Sequence, residues 1–242
     1  MNIILNGAKG RMGRIVDAAA AAGGHSVVAR VDFGYAGGEG LRTLDEYQGP
    51  ADVVIDFSNH AATAQVVDYC TKRGLPVVVA TTGQTEEELA LIDGAAKTVP
   101  VFLSANMSLG VALLADLAKK AAAVFPNADI EIIEKHHNQQ LDVPSGTALL
   151  LARRIKEARP AAEFVIGRHE NGKRTKAEIG IHSLRLGNEV GVHEIIIATG
   201  SETITLKHED ENRSLFAQGA LAAAAFIAGK APGMYDMRSI IE

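Results

Sequence analysis

Three observations predict an α/β chain with a doubly wound parallel-sheet domain and a second, α+β domain whose sheet is mixed and largely antiparallel. Short apolar runs alternate with helix-length segments up to Leu103, the pattern of βαβ units covered on both faces. A glycine-rich turn, Gly7-Ala8-Lys9-Gly10-Arg11-Met12-Gly13, joins the first run to the first helical segment. Beyond Arg174 the β-like segments follow one another without an intervening helix, whereas parallel neighbours need a long crossover.

The strands predicted for the first domain are Asn2 to Leu5, Ser26 to Val31, Asp52 to Ile55, Pro76 to Ala80 and Val101 to Leu103. Between them Arg11 to Ala22, His60 to Lys72 and Thr85 to Lys97 have helix length, with Gly23-Gly24 and Gly74 where a helix C-terminus favours a residue free to adopt positive φ. After Asn106 the period changes: Leu109 to Phe125 is Ala/Leu-rich and helical, Asp129 to Glu134 alternates as a half-buried strand does, and Thr147 to Ala158 reads as a helix. Thr175 to Leu186, Val190 to Ala198 and Glu202 to His208 follow as strands, separated by the turn signals Gly187-Asn188 and Gly200-Ser201. An Ala-rich helix near Leu215 to Ala228 is expected to return to the first domain, and Pro232-Gly233 turns the chain into Tyr235 to Ile241. The expected domains are residues 1–106 with 215–242, and 107–214.

Composition narrows the function classes. The formal charge is -5 and no Lys/Arg run reaches five residues, so the concentrated basic face of a nucleic-acid binder is not expected. Apolar stretches such as Ala217 to Ala228 fall short of the roughly 20 residues a membrane span needs. Cys70 is the single cysteine, leaving no internal disulfide and no cysteine cluster for a metal. The amino-terminal MNIILNGAKG enters a strand directly, without the apolar core of a signal peptide, and the cytoplasm is the expected compartment.

The glycine turn spaces its glycines at the first, fourth and seventh positions, a variant of the Rossmann-like dinucleotide fingerprint. A diphosphate over a helix N-terminus needs backbone N–H groups aimed at it and no side chain in the way. Gly7, Lys9, Gly10, Arg11, Met12 and Gly13 are therefore candidate cofactor contacts. Asp32 closes the second strand, where a carboxylate accepts from both hydroxyls of the adenosine ribose and repels a 2′-phosphate. That favours NADH, while Lys9, Arg11 and Arg14 supply positive charge compatible with NADPH. Phe33 follows as a further cofactor candidate.

Two histidines, His136 and His137, end the Asp129 strand and precede a loop into the helix that starts near Ser145-Gly146-Thr147. Ser145 or Thr147 can cap that helix, and the N–H groups of Gly146 and Thr147 are expected as unpaired donors suited to a carboxylate. Neighbouring strand residues point to opposite faces, so one of the two histidines faces a given pocket directly. No third ligand stands at metal-binding spacing, and no metal is expected. His182 and His193 read as packed or exposed side chains on later strands, and Cys70 as a small buried apolar residue.

Taken together, these motifs resemble the 4-hydroxy-tetrahydrodipicolinate reductase family. The resemblance runs through GAKGRMGR at 7–14, DVVIDFS at 52–58, ATTG at 80–83, SANMSLG at 104–110, EIIEKHHNQQLDVPSGTAL at 131–149, RLGNEVGVHE at 185–194 and GMYDMRSII at 233–241. It implies reduction of a cyclic dicarboxylate with NADH or NADPH in lysine and diaminopimelate synthesis, hinges near Asn106 and Arg213 to Ala217, and a homotetramer assembled through the second domain. It also implies that Thr81, Thr82, Gly83, Ser104, Ala105, Asn106 and Met107 line the nicotinamide, that His137, Gly146 and Thr147 hold substrate, and that His136 donates a proton.

One position departs from the family pattern HH-x-x-K-x-D-x-P-S-G-T: Gln140 stands where the lysine is expected. A glutamine offers a neutral donor in place of a permanent charge. Weakened activity, an altered substrate and compensation by Lys135 all follow as readings. A dinucleotide-binding homologue impaired in catalysis and a reductase of another small cyclic imine are the alternative functions.

Overall fold

Parallel strands buried on both faces require nearly continuous apolar sequence. The computed structural model, which describes residues 1–36 and 38–241, has β1 (Asn2–Asn6), β2 (Ser26–Val31), β3 (Val53–Asp56), β4 (Val77–Val79) and β5 (Pro100–Leu103), of which β2, at the sheet edge, is only partly buried. Every residue of β3 and β4 is buried. α1 (Arg11–Ala22), α2 (Thr63–Arg73) and α3 (Glu86–Ala95) connect them. α2 ends where Gly74 takes φ 65° with Lys72 and Arg73 in its last turn, so a left-handed residue and favourable charge close the helix together. α3 begins on a capping box between Thr85 and Glu88, which satisfies two otherwise orphaned backbone donors.

The first unit comprises Met1–Ser108 and Arg213–Glu242, and the second Leu109–Asn212. In the first, Ile4, Val54, Val77, Val79 and Val101 pack with Val66, Val67 and Cys70 of α2 and Ile92 of α3. Phe102 turns the other way, meeting Phe226 edge-on at 6.5 Å.

In the second unit α4 (Leu109–Val124) precedes β6 (Asp129–His136), α5 (Gly146–Ala158), β7 (Glu163–Ile166), β8 (Glu178–Arg185), β9 (Gly191–Ala198) and β10 (Thr203–Asp210). Its sheet order is β10-β9-β6-β8-β7. β10 with β9 and β9 with β6 are antiparallel, whereas β6 with β8 and β8 with β7 are parallel. The sheet is thus evenly mixed, not largely antiparallel as the succession of strands suggested. The cause is β6: it lies between β8 and β9, so the Gly187-Asn188 turn joins strands that are not neighbours. β7 was not expected. Ile130, Ile132, Ile179, Ile181, Ile195 and Ile197 form the inner face and pack on Leu114, Ala118, Leu151 and Ile155 of α4 and α5.

α6 (Ser214–Ile227) belongs to the first unit. A Cβ on Gly219 would fall 1.7 Å from the Met107 carbonyl, a close approach that only glycine permits at this point. The segment after Pro232 contributes a sixth strand, β11 (Gly233–Tyr235), beside β5, before α7 (Arg238–Ile241); the sequence had indicated five. No helix among the described residues is long and apolar enough to cross a membrane.

Candidate active site

Alternation along β6 directs Ile130 and Ile132 into the core and, two and four residues further on, Glu134 and His136 to the same face. His136 Nδ1 lies 2.6 Å from Glu134 Oε2. Arg185, at the end of β8, donates to both Glu134 oxygens at 2.8 Å, and the Ser145 N–H donates to Oε1 at 3.1 Å. Glu134 is fully buried. Burial alone would raise its carboxyl, but the hydrogen bonds from His136, Arg185 and Ser145 outweigh that and hold it at about 2.

His193 of β9 stands edge-on to His136, with ring centroids 5.2 Å apart, and its Nε2 is 3.3 Å from Ser145 Oγ. Burial, helped by the nearby His136, pushes His193 down to about 3, so it is a neutral imidazole at physiological pH. On the other flank, a Cβ on Gly191 would lie 2.6 Å from Asp210 Oδ2 and 3.2 Å from His136 Nε2. The missing side chain lets the β10 carboxylate and the imidazole approach each other. Burial pushes the Asp210 carboxyl up, against the opposing influence of His208 and His136.

α5 begins beside this cluster. Ser145 caps it by accepting from Ala148 N at 3.2 Å. The Gly146 N–H, expected to be unpaired, instead donates to Asp142 Oδ2 at 3.2 Å, because the short loop folds its own carboxylate over the helix start. Gln140 Nε2 donates to the other Asp142 oxygen, and Arg185 Nη2 donates to the Asp142 carbonyl at 2.6 Å. Thr147 is half-buried in the first turn, and His137 follows β6 half-buried.

Sequence reasoning missed Glu134, although its two-residue spacing to His136 on one strand is the signal that could have found it. Arg185 and His193 lie in the motif at 185–194 but received no role there, and Asp210 lies in none of the motifs; each arrives on another strand, so their meeting at His136 is not written in any local spacing.

In the first unit, Gly7 has φ 80° and a Cβ there would lie 2.5 Å from the Phe57 carbonyl; one on Gly13 would lie 2.1 Å from the Gly7 carbonyl. Neither position can carry a side chain. α1 starts at Gly10 with no side-chain cap and no acidic residue in its first turn, which spans Arg11, Met12 and Gly13. Asp32 at the end of β2 accepts from Lys9 N at 3.0 Å and Gly34 N at 2.9 Å, so its carboxylate faces the glycine turn. Phe33 is 82% exposed. Thr81 is buried with its hydroxyl bonded to Asp56 at 2.7 Å, while Thr82 and Gly83 are exposed. Ser104 Oγ donates to the Asn106 carbonyl at 2.6 Å; Ala105 is exposed and Met107 buried. The start of α1 suits a dinucleotide diphosphate, since no side chain caps it and Gly7, Gly10 and Gly13 put no Cβ beside its first turn, while the N–H groups of Gly7, Ala8, Lys9 and Gly10 are already bonded to Val31, Asp32 and Gly7.

Fold and glycine turn define a dinucleotide-binding protein of the doubly wound α/β class. The family model described as dihydrodipicolinate reductase, N-terminus, matches residues 1–107, and that described as dihydrodipicolinate reductase, C-terminus, matches residues 110–241. The chain is 44% identical over 252 residues to 4-hydroxy-tetrahydrodipicolinate reductase of Caldanaerobacter subterraneus subsp. tengcongensis, covering 100% of this chain and 98% of the relative. It is also 44% identical to the enzyme of that name from Clostridium tetani, covering 98% and 95%. A dipicolinate-bound dihydrodipicolinate reductase from Paenisporosarcina sp. TG-14 shares the fold at TM-score 0.82 and 24% identity, covering 98% of this chain and 97% of that one. The chain belongs to the 4-hydroxy-tetrahydrodipicolinate reductase family, oxidoreductases of lysine and diaminopimelate synthesis that use NAD(P)H.

Proposed function

We propose that the chain reduces 4-hydroxy-tetrahydrodipicolinate to tetrahydrodipicolinate. The observation that carries this reading is an imidazole, His136, held at Nδ1 by a buried carboxylate beside the start of α5. NADH or NADPH, when bound at the glycine turn, supplies a hydride from nicotinamide C4; the substrate loses water and takes up that hydride and one proton. Glu134 accepts from His136 Nδ1, leaving Nε2 to release the proton. His137 and the first turn of α5 at Gly146 and Thr147 take the substrate carboxylates, and Asp142 must yield the Gly146 N–H for that to happen. Thr82, Gly83, Ala105 and Asn106 are assigned to the nicotinamide end, with Thr81, Ser104 and Met107 behind them.

Asp32 supports a preference for NADH, since a carboxylate facing the cradle repels a 2′-phosphate. The outer face of the second sheet carries Ile133, Leu184 and Ile196, opposite the face covered by α4 and α5, which supports a homotetramer built through this sheet. Light scattering on the purified chain tests that directly. The fully buried Cys70 fits a reducing compartment, the cytoplasm.

The deciding experiment mixes the chain with NADH or NADPH and substrate generated in place from pyruvate and aspartate semialdehyde by the preceding synthase, and follows loss of nucleotide absorbance. Turnover faster with NADH is expected. Gln140 supports the second reading, an impaired homologue that binds dinucleotide without turnover; nucleotide binding with no absorbance loss on this substrate or on other small cyclic imines is its expected result.

A further inference from the structure

Open parallel sheets bind ligands outside the carboxyl ends of their strands, where the strand order reverses. In the order β11-β5-β4-β3-β1-β2 that reversal falls between β1 and β3. The last residues of these strands, Asn6 and Asp56, are partners in register, and Asn6 Nδ2 donates to Asp56 Oδ1 at 2.8 Å. Ser58 donates to the same oxygen through Oγ at 2.5 Å and N at 3.3 Å. Thr81 Oγ1 donates to Oδ2 at 2.7 Å and in turn accepts from Ser58 N at 3.0 Å.

Asp56 is 1% exposed, and these partners are an amide, hydroxyls and an N–H rather than a cation. Burial pushes its carboxyl up, and the four donors work against that. Such a group is poor value for stability, because burying a carboxylate is costly and well-packed apolar side chains do as well or better. Its partners share another property. Asn6 immediately precedes Gly7, the Phe57 carbonyl and Ser58 N lie 2.5 and 2.8 Å from where a Gly7 Cβ would be, and Thr81 opens the Thr81–Gly83 segment.

We propose that Asp56 is a positioning residue for the coenzyme, setting the spacing between the glycine turn at the diphosphate and the Thr81–Gly83 segment at the nicotinamide. This rests on the reading that those two segments hold the dinucleotide. Buried among its partners, the carboxylate has no exposed surface to offer a ligand; it acts through Asn6, Ser58 and Thr81.

The test titrates NADH into the full chain, read by nucleotide fluorescence, for the wild type, Asp56→Asn and the swap Asn6→Asp/Asp56→Asn. Asp56→Asn is expected to raise the NADH Kd roughly tenfold while the KM for the dicarboxylate substrate stays unchanged. The swap, which again sets an amide against a carboxylate, is expected to regain part of the loss. A folded Asp56→Asn protein that binds NADH as the wild type does overturns the proposal. Should that variant not fold, Ser58→Ala and Asn6→Ala each remove one donor, and an unchanged Kd in both overturns it equally. Failure of the wild type to bind either NADH or NADPH would instead bring down the coenzyme reading beneath it.

Discussion

Glu134 and His136 stand two residues apart on one strand, and the 2.6 Å contact between carboxylate and Nδ1 joins an imidazole to an ion that Arg185 already grips through both oxygens. The pairing selects the tautomer and fixes the ring plane, which Glu134→Gln would loosen while leaving the cradle of the other unit untouched. We expect kcat to fall roughly tenfold or more with the KM for NADH unchanged. His136→Gln should cost about a hundredfold or more. Steady-state kinetics check both, and a His136→Gln enzyme with wild-type turnover would remove the imidazole from the reaction.

Acid should weaken the fold in two stages. Burial pushes His193 down to about 3, whereas in the unfolded chain it titrates near an ordinary ~6.5. Between these values the unfolded state holds a proton that the folded state refuses, so stability falls as pH drops, by about 1.4 kcal/mol per pH unit at most. Glu134, held at about 2, contributes stability that is complete above its unfolded value of roughly 4.3 and is lost as pH falls towards 2. Urea titrations at stepped pH should show a gentle decline below about pH 6.5 that steepens below roughly 4.3. His193→Gln should flatten the upper stage; an unaltered slope would assign it to other groups.

The glycines of the turn should not be equivalent. A Cβ on Gly13 would lie 2.1 Å from the Gly7 carbonyl, but one on Gly10 meets that oxygen at 3.1 Å. Gly13→Ala forces backbone apart and is expected to cost about 1–3 kcal/mol and to weaken NADH binding; Gly10→Ala should do markedly less of both. Thermal melts with and without NADH measure the ordering, which a more damaging Gly10→Ala would contradict.

Gln140 donates to Asp142, whose carboxylate occupies the Gly146 N–H. A lysine at 140 would bring a permanent charge to a site proposed to take a dicarboxylate. Gln140→Lys is expected to raise kcat/KM for that substrate about ten- to thirtyfold and to leave the KM for NADH where it is. No gain would mean that a cation at this position does not limit the reaction; Lys135 does not stand in for it, because alternation along β6 turns it away from the face of His136.

Local pattern determined much of this protein. Period-two and helical repeats, glycines and caps placed α1 at Arg11–Ala22 and β2 at Ser26–Val31, because neighbours along the chain set backbone conformation and which face is apolar. The motif GAKGRMG marked the cradle for the same reason: close backbone approach excludes a Cβ wherever the rest of the chain goes. Pairing across the sheet is a different matter. Nothing near residues 187–188 indicates that β6 separates β8 from β9. Arg185, His193 and Asp210, which arrive on other strands, join Glu134 around His136 only once that insertion is made. Nor could the loop sequence tell that Asp142 would take the Gly146 N–H. Which polar groups meet is decided by burial of the isoleucine face shared by β6, β8 and β9, a choice made among distant segments that no single stretch of sequence contains.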